Sequence, residues 1–317
     1  MRSEINRLPE EFLGRLKQVF PAHKYHELVN LFAVERPTTF RINPLKAPSV
    51  EIVREKLNAD GFQIHPVSWC PGAFVLQKGR LRDLQKTAVY ENGQIYVQAL
   101  SSMVPPLILN PQPGEKVLDL AAAPGSKTTQ MAAMMQGDGE LVANDNNQVR
   151  FFKLKANLKT QGCDFVKTTL SYGESFGRKY PNYFDRVLLD VPCSSEGRFL
   201  VSDPASFKYW KPRKVKEMQQ KQKKLLHAAL SALRPGGLLL YSTCTFAPEE
   251  NEGVIDWALK KFTDMLEMMP IKLSFPNHVA GLMGWQGKPF LPGVRQSVRI
   301  LPNNYMEGFY LACLRKK

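Results

Sequence analysis

From Val117 onward, short apolar runs alternate with stretches of helical apolar spacing. Val117–Leu120, Leu141–Asp145, Phe165–Lys167, Phe184–Leu189 and Gly237–Tyr241 predict strands, and Val298–Leu301 and Phe309–Ala312 predict two more. Between them, Thr128–Gln136, the stretch through Arg150, Leu154 and Leu158, Val215–Leu233 and Asn251–Phe262 predict helices. The runs at Phe184 and Gly237 do not alternate apolar with polar, which suits parallel strands buried on both faces. Strand, loop and helix repeated in this order predict an α/β protein with a doubly wound, mostly parallel sheet.

Before this region the spacing is shorter and more mixed. Glu10–Phe20, Lys24–Phe32 and Val50–Leu57 carry helical apolar spacing, the last with Gly61 just past its end, where a helix stop favours glycine. Thr38–Ile42, Phe62–His65 and Ala73–Leu76 read as strands. The expectation is a smaller N-terminal α/β domain over residues 1–94, followed by a larger domain over 95–317. No apolar run reaches the length of a membrane span, and the opening Met1 to Arg7 lacks an apolar signal segment. A cytoplasmic protein without membrane contact is therefore expected.

Charge narrows the choice of partner. The 317 residues hold 43 Lys and Arg against 29 Asp and Glu, a formal net charge of +14. A chain this basic most simply meets a polyanion, although charge also serves solubility alone. Nucleic acid is favoured because cations interleave with aromatics in Phe207-Lys208-Tyr209-Trp210-Lys211-Pro212-Arg213, a pattern that joins phosphate contacts to base stacking. The same pattern also fits an ordinary solvated helix start. Five cysteines are too few, and odd in number, for a disulfide framework, and no close pair suggests a metal site. Cys70, Cys163 and Cys313 read as small core hydrophobes.

The remaining two cysteines carry chemistry. Cys193 and Cys244 each lie just past a predicted buried strand, in Asp190-Val191-Pro192-Cys193-Ser194-Ser195 and Ser242-Thr243-Cys244-Thr245. Ligands of open α/β sheets bind outside the carboxyl ends of strands. If the two strands are neighbours, about 5 Å apart, both thiols reach one rim, where a thiolate is a strong nucleophile. A third loop, Ala121, Ala122, Ala123, Pro124, Gly125, Ser126 and Lys127, joins the first strand to the first helix of this domain. Its small residues let backbone approach a ligand closely. It has neither the phosphate-loop frame nor the Gly-x-Gly-x-x-Gly fingerprint. Asp145 closes the second strand, where an acid accepts ribose hydroxyls in nucleoside-binding sheets; an exposed strand-end Asp reads the same way.

Ala-Ala-Pro-Gly-Ser-Lys-Thr, Asp-Val-Pro-Cys-Ser-Ser and Tyr-Ser-Thr-Cys-Thr-Phe-Ala-Pro-Glu-Glu-Asn-Glu, in this order, resemble the NOL1/NOP2/Sun family of RNA cytosine-C5 methyltransferases. The resemblance covers Ile95 to Arg315 and includes Pro235-Gly236-Gly237. It implies a Rossmann-like, seven-stranded methyltransferase sheet, S-adenosylmethionine as cofactor, an RNA substrate (rRNA or tRNA), no metal and a monomer. It places Cys244 as the nucleophile and Cys193 as the cysteine of product release. Ala121 to Lys127, Asp145 and Asp190 fall to the cofactor and target-base site. Two departures stand out. Leu120 and Ser126 replace a cysteine and a glycine of the first motif, and Tyr172 stands where an acid commonly follows the third strand to contact the cofactor. Two other readings remain open: a DNA cytosine methyltransferase, whose nucleophile would be Cys193, and a catalytically weak RNA-binding assembly factor.

Overall fold

The computed structural model describes residues 5–317. Met1 to Glu4, part of the segment read for a signal sequence, lie outside the described residues. A small sheet comes first: β1 (Thr39–Ile42), β2 (Gln63–Pro66), β3 (Ala73–Lys78) and β4 (Ile95–Val97), all antiparallel in the order β2-β3-β1-β4. Helix Val50–Ala59 starts on Ser49, whose hydroxyl accepts from Ile52 N, and stops at Gly61 with φ of 82°. Val53, Leu57, Phe40 and Phe74 fill the core of this unit. Because β4 pairs with β1, the small sheet runs to Val97, past the expected boundary at residue 94.

Eleven further strands follow: β5 (Lys116–Asp119), β6 (Glu140–Asp145), β7 (Lys167–Leu170), β8 (Phe184–Asp190), β9 (Leu233–Thr243), β10 (Leu266–Met269), β11 (His278–Ala280), β12 (Gly284–Trp285), β13 (Lys288–Pro289), β14 (Val298–Ile300) and β15 (Phe309–Lys316). β12 and β13 form a separate hairpin. The rest make one large sheet in the order β11-β14-β15-β9-β8-β5-β6-β7, with β10 also on β15. β7, β6, β5, β8 and β9 are parallel, and β15 closes them antiparallel. With β14, on the predicted Val298–Leu301 run, they make the seven expected strands, and β10 and β11, which were not expected, add two more. The third strand lies two residues later than its apolar pattern suggested, at 167–170, on the sheet's edge.

Apolar runs that do not alternate are buried twice, as such strands must be. Leu188 and Leu240 face one core, with Met103, Met131 and Leu154 from helices Leu100–Leu109, Ser126–Met134 and Gln148–Thr160. Val187, Leu189, Leu239 and Tyr241 face the other, with Leu225, Leu226 and Ile255 from helices Pro212–Ala232 and Glu252–Lys261. Cys70, Cys163 and Cys313 are buried, as expected of small core residues.

The first two helices, Glu10–Val19 and Ala22–Leu31, do not belong to the small sheet's core. Phe12 meets Phe199 and Trp210, and Phe20 and Phe32 meet Phe246, in edge-on aromatic pairs. They therefore pack on the loops that follow β8 and β9. Trp210 is buried in this cluster and donates to Glu196, whereas Tyr209 is 78% exposed. The basic aromatic run thus divides between core and surface. Buried Arg41 on β1 bridges the two sheets' units, donating to Gln98 Oε1 at 2.9 Å and to Thr129 Oγ1 at 2.7 Å.

Candidate active site

Strand order reverses between β5 and β8, where open α/β sheets place their ligand crevice. Three neighbouring strands end there in carboxylates: Asp119 on β5, Asp145 on β6 and Asp190 on β8. The loop Ala121 to Lys127 turns above them. Gly125 has φ of 106°, and a Cβ there would lie 2.9 Å from Leu154, so the turn requires glycine. Asp145 is buried and its Oδ1 accepts from Asn147 N at 2.9 Å, its Oδ2 from Ala123 N at 3.3 Å. Arg150 lies 3.5 Å from the same carboxylate.

A cleft opens here, lined by Ala121, Asn144, Asp145, Arg150, Gly173 and Pro192 among others. A Cβ at Gly173 would lie 2.7 Å from the Leu225 side chain, so glycine lets the chain pass close to it at this wall. Tyr172, expected on the cofactor, is 74% exposed and does not line the cleft. With β7 ending at Leu170, the chain crosses the rim at Gly173, and the Tyr172 ring points to solvent.

Asp119 is fully enclosed; burial pushes its carboxyl up to about 7, against a 2.7 Å hydrogen bond from Thr128. Its Oδ1 has no partner, an orphaned buried acceptor directly beneath the cleft loop. An aminoacyl nucleoside fits these residues: an unpaired carboxylate oxygen, a buried strand-end acid, and a glycine-walled cleft. Ala121 and Asp145, which line the cleft, are the groups that would hold S-adenosylmethionine.

Beside the cleft, β8 and β9 run parallel in the register Asp190↔Ser242. This brings Cys193 Sγ and Cys244 Sγ to 3.3 Å. The inference that both thiols share one rim follows from this adjacency. Asp190 accepts from Ser242 Oγ at 2.7 Å and pairs with buried Lys127 Nζ at 2.7 Å. Lys127 also donates to Ser102 Oγ. The first-motif lysine therefore belongs to the target side of the site rather than the cleft.

The two thiols are not equivalent. The Cys193 hydrogen bond holds Cys244 below its ordinary pKa against the cost of burial, with Arg198 and Ser195 adding to the effect. Cys193 is pushed well up by that same hydrogen bond and by burial. Cys244 is thus the more acidic of the two thiols and Cys193 the less acidic.

Both loops are held from beneath. Glu250 accepts from Ser194 N at 3.0 Å and Gln222 Nε2 at 2.8 Å, and its other oxygen contacts Ser194 Oγ. Ser194 Oγ meets Thr245 Oγ1 at 2.7 Å. Asn251 receives Thr243 Oγ1 at 2.6 Å and donates to Thr245 O at 2.9 Å, so it clasps both neighbours of Cys244. Glu252 is fully buried against Arg299. The Glu-Glu-Asn-Glu run belongs to the second cysteine motif, but its role is invisible in the sequence, since polar runs are ordinarily exposed. Arg198 and Ser195 likewise carry no apolar or spacing signal that would mark them.

The strand order, the cleft at its reversal and the strand-end acids are those of a methyltransferase domain of the S-adenosylmethionine-dependent class. Residues 106–315 match the family described as 16S rRNA methyltransferase RsmB/F, and residues 8–99 match the N-terminal domain of 16S rRNA methyltransferase RsmF. The chain belongs to this NOL1/NOP2/Sun family. It is 41% identical to the tRNA (cytosine(49)-C(5))-methyltransferase of Pyrococcus abyssi, over 99% of this chain and 98% of that protein. It is 37% identical to the ribosomal RNA small subunit methyltransferase F of Cronobacter sakazakii, over 98% of this chain, but it spans only 63% of that protein's length. A methyltransferase homologue from Pyrococcus horikoshii superposes with a TM-score of 0.82 at 32% identity, covering 98% of this chain and all of that one. NSun6 from the same organism, solved with the cofactor analogue SFG, superposes with a TM-score of 0.80 over 97% of this chain and 98% of that one; at 22% identity it speaks for the fold. Among the described residues, no helix is long and apolar enough to cross a membrane, and no cluster of three acidic, His or Cys residues could hold a metal.

Proposed function

We propose that this protein transfers a methyl group from S-adenosylmethionine to C5 of a cytosine in structured RNA. The observation that carries the reading is the 3.3 Å cysteine pair set beside the Asp190–Lys127 ion pair. Cytosine C5 is too weak a nucleophile to react unaided. Addition of the Cys244 thiolate to C6 breaks the C5–C6 double bond and moves electron density toward C5. Asp190, steadied by Lys127 and Ser242, is suited to hold the N3/N4 edge of the base and balance that shift. Bound in the cleft, S-adenosylmethionine supplies the methyl group as an electrophile. Loss of the C5 proton then re-forms the double bond and expels Cys244, and Cys193 assists this release. The base must leave its stack to reach the two thiols.

The relatives' names offer two substrates, tRNA and small-subunit rRNA. Bisulfite sequencing of both, from cells with and without the gene, should reveal a cytosine protected only when the gene is present. In vitro, Cys244→Ala should abolish methylation and form no covalent RNA adduct. Cys193→Ala should accumulate a heat-stable protein–RNA band on a denaturing gel. An adduct with Cys244→Ala and none with Cys193→Ala would reverse the roles and favour the DNA-type mechanism. Methylation intact in both variants would exclude covalent catalysis.

A further inference from the structure

Ser195 has φ of 59°, in the left-handed region where glycine is free and a serine is strained. Its backbone is held there from several sides. Arg198 N donates to Ser195 O at 3.0 Å, Gly197 N donates to Cys244 O at 2.9 Å, and Gly308 N donates to Gly197 O at 3.2 Å. Glu196, the next residue, is buried and accepts from Trp210 Nε1 at 2.9 Å and from Phe246 N at 3.1 Å. A strained residue persists only where its surroundings over-determine it, and such residues cluster at working sites. Glycine would relieve the strain, yet the chain keeps a side chain at this point. That side chain faces both sulfurs: Ser195 Oγ accepts from Cys244 Sγ at 3.6 Å, lies 3.9 Å from Cys193 Sγ and donates to Cys193 O at 3.5 Å.

Building on the covalent reading above, we propose that the Ser195 hydroxyl is a hydrogen-bond donor to the Cys244 thiolate, stabilising the attacking form of the nucleophile. A hydroxyl rotates freely about its C–O bond. In the structure it accepts from Cys244 and donates weakly to Cys193 O; once the Cys244 proton has gone, rotation turns the same O–H from that carbonyl toward the sulfur. Two donors then converge on Cys244 Sγ, the Cys193 thiol at 3.3 Å and the Ser195 hydroxyl at 3.6 Å. A hydrogen bond that favours the charged form lowers a group's pKa. The other charged groups acting on Cys244 are Arg198, which favours the thiolate, and Asp190, which opposes it and is itself paired with Lys127. Arg198 in turn faces Glu307 at 3.4 Å. Ser195 is thus a short-range neutral donor in a place where the local charges partly cancel.

The test separates a chemical role from a packing role. Ser195→Gly removes the hydroxyl and also the backbone strain, so the variant should fold and melt no lower than the parent chain. Alkylation of Cys244 by iodoacetamide in the free protein, followed across pH by mass spectrometry of its peptide, should show the midpoint raised by about one pH unit, a tenfold smaller thiolate fraction below it. Ser195→Ala should raise the midpoint equally. Methylation at neutral pH should fall in both variants and recover as the pH is raised. An unchanged alkylation midpoint in both variants would overturn the proposal. So would a glycine variant that melts well below the parent, because packing would then account for the serine. The alkylation readout needs no RNA, so it stays decisive even if methylation of the chosen RNA fails in the parent protein.

Discussion

Replacing Glu250 with glutamine should flatten the pH dependence of stability. Burial, joined by repulsion from Glu196, raises the Glu250 carboxyl from 4.5 to about 8, against hydrogen bonds from Ser194 and Gln222. Folding therefore favours its protonated form. The stability this group contributes is full below pH 4.5, the unfolded value, and is lost as the pH rises through 8. At 1.36 kcal/mol per pH unit, that interval is worth about 5 kcal/mol as an upper figure. Glutamine reproduces the protonated acid: its carbonyl can accept from Ser194 N and Gln222, and its amide can donate to Ser194 Oγ. At pH 5 the variant should match the parent within about 1 kcal/mol. By pH 9 it should be the more stable protein by several kcal/mol. Urea unfolding at pH 5, 7 and 9, at constant slope against denaturant, measures the difference directly. Asp119 titrates abnormally in both proteins and cancels in the comparison, whereas Glu196 loses its repulsion with Glu250 in the variant, a change in the same direction. Parallel stability profiles would overturn this account of Glu250, as would a large loss in the variant at pH 5.

Cofactor binding measured by calorimetry should weaken about tenfold or more in Asp145→Ala, a lost charge-assisted hydrogen bond, while exposed Tyr172→Ala should stay within about twofold of the parent. Arg299→Met leaves Glu252 buried and unpaired, so it should cost about 3–5 kcal/mol in guanidinium unfolding. Adding Glu252→Leu to that variant should restore much of the loss. RNA affinity should fall with salt at a log–log slope of roughly −3 to −4 if about five phosphates are contacted. A flat response would assign the +14 charge to solubility.

Features legible in the amino-acid sequence were local or periodic. Non-alternating apolar runs at Phe184 and Gly237 could be satisfied only by strands covered on both faces, and β8 and β9 are such strands. The two cysteine motifs announced their chemistry because a thiol just past the end of a buried strand falls on the rim where such sheets bind ligands. Where local signals conflicted, the pattern misled. Helix Leu100–Leu109 was hidden by Pro105 and Pro106, and the weak edge strand β7 was placed two residues early, carrying Tyr172 with it. The first two helices read as part of the small domain, but their aromatic faces pack against Phe199, Trp210 and Phe246 among others, residues distant along the chain. Glu250, Asn251 and Glu252 are the sharpest case. A run of acids and amides has every local property of a solvated surface. It is buried because Ser194, Gln222, Thr245 and Arg299 converge on it from four other segments, satisfying each polar atom. Such partners are assembled by β8 lying beside β9 and by the helix that crosses them. The difference between the two thiols arises in the same way, since a 3.3 Å contact and its shared proton exist only after the strands have paired.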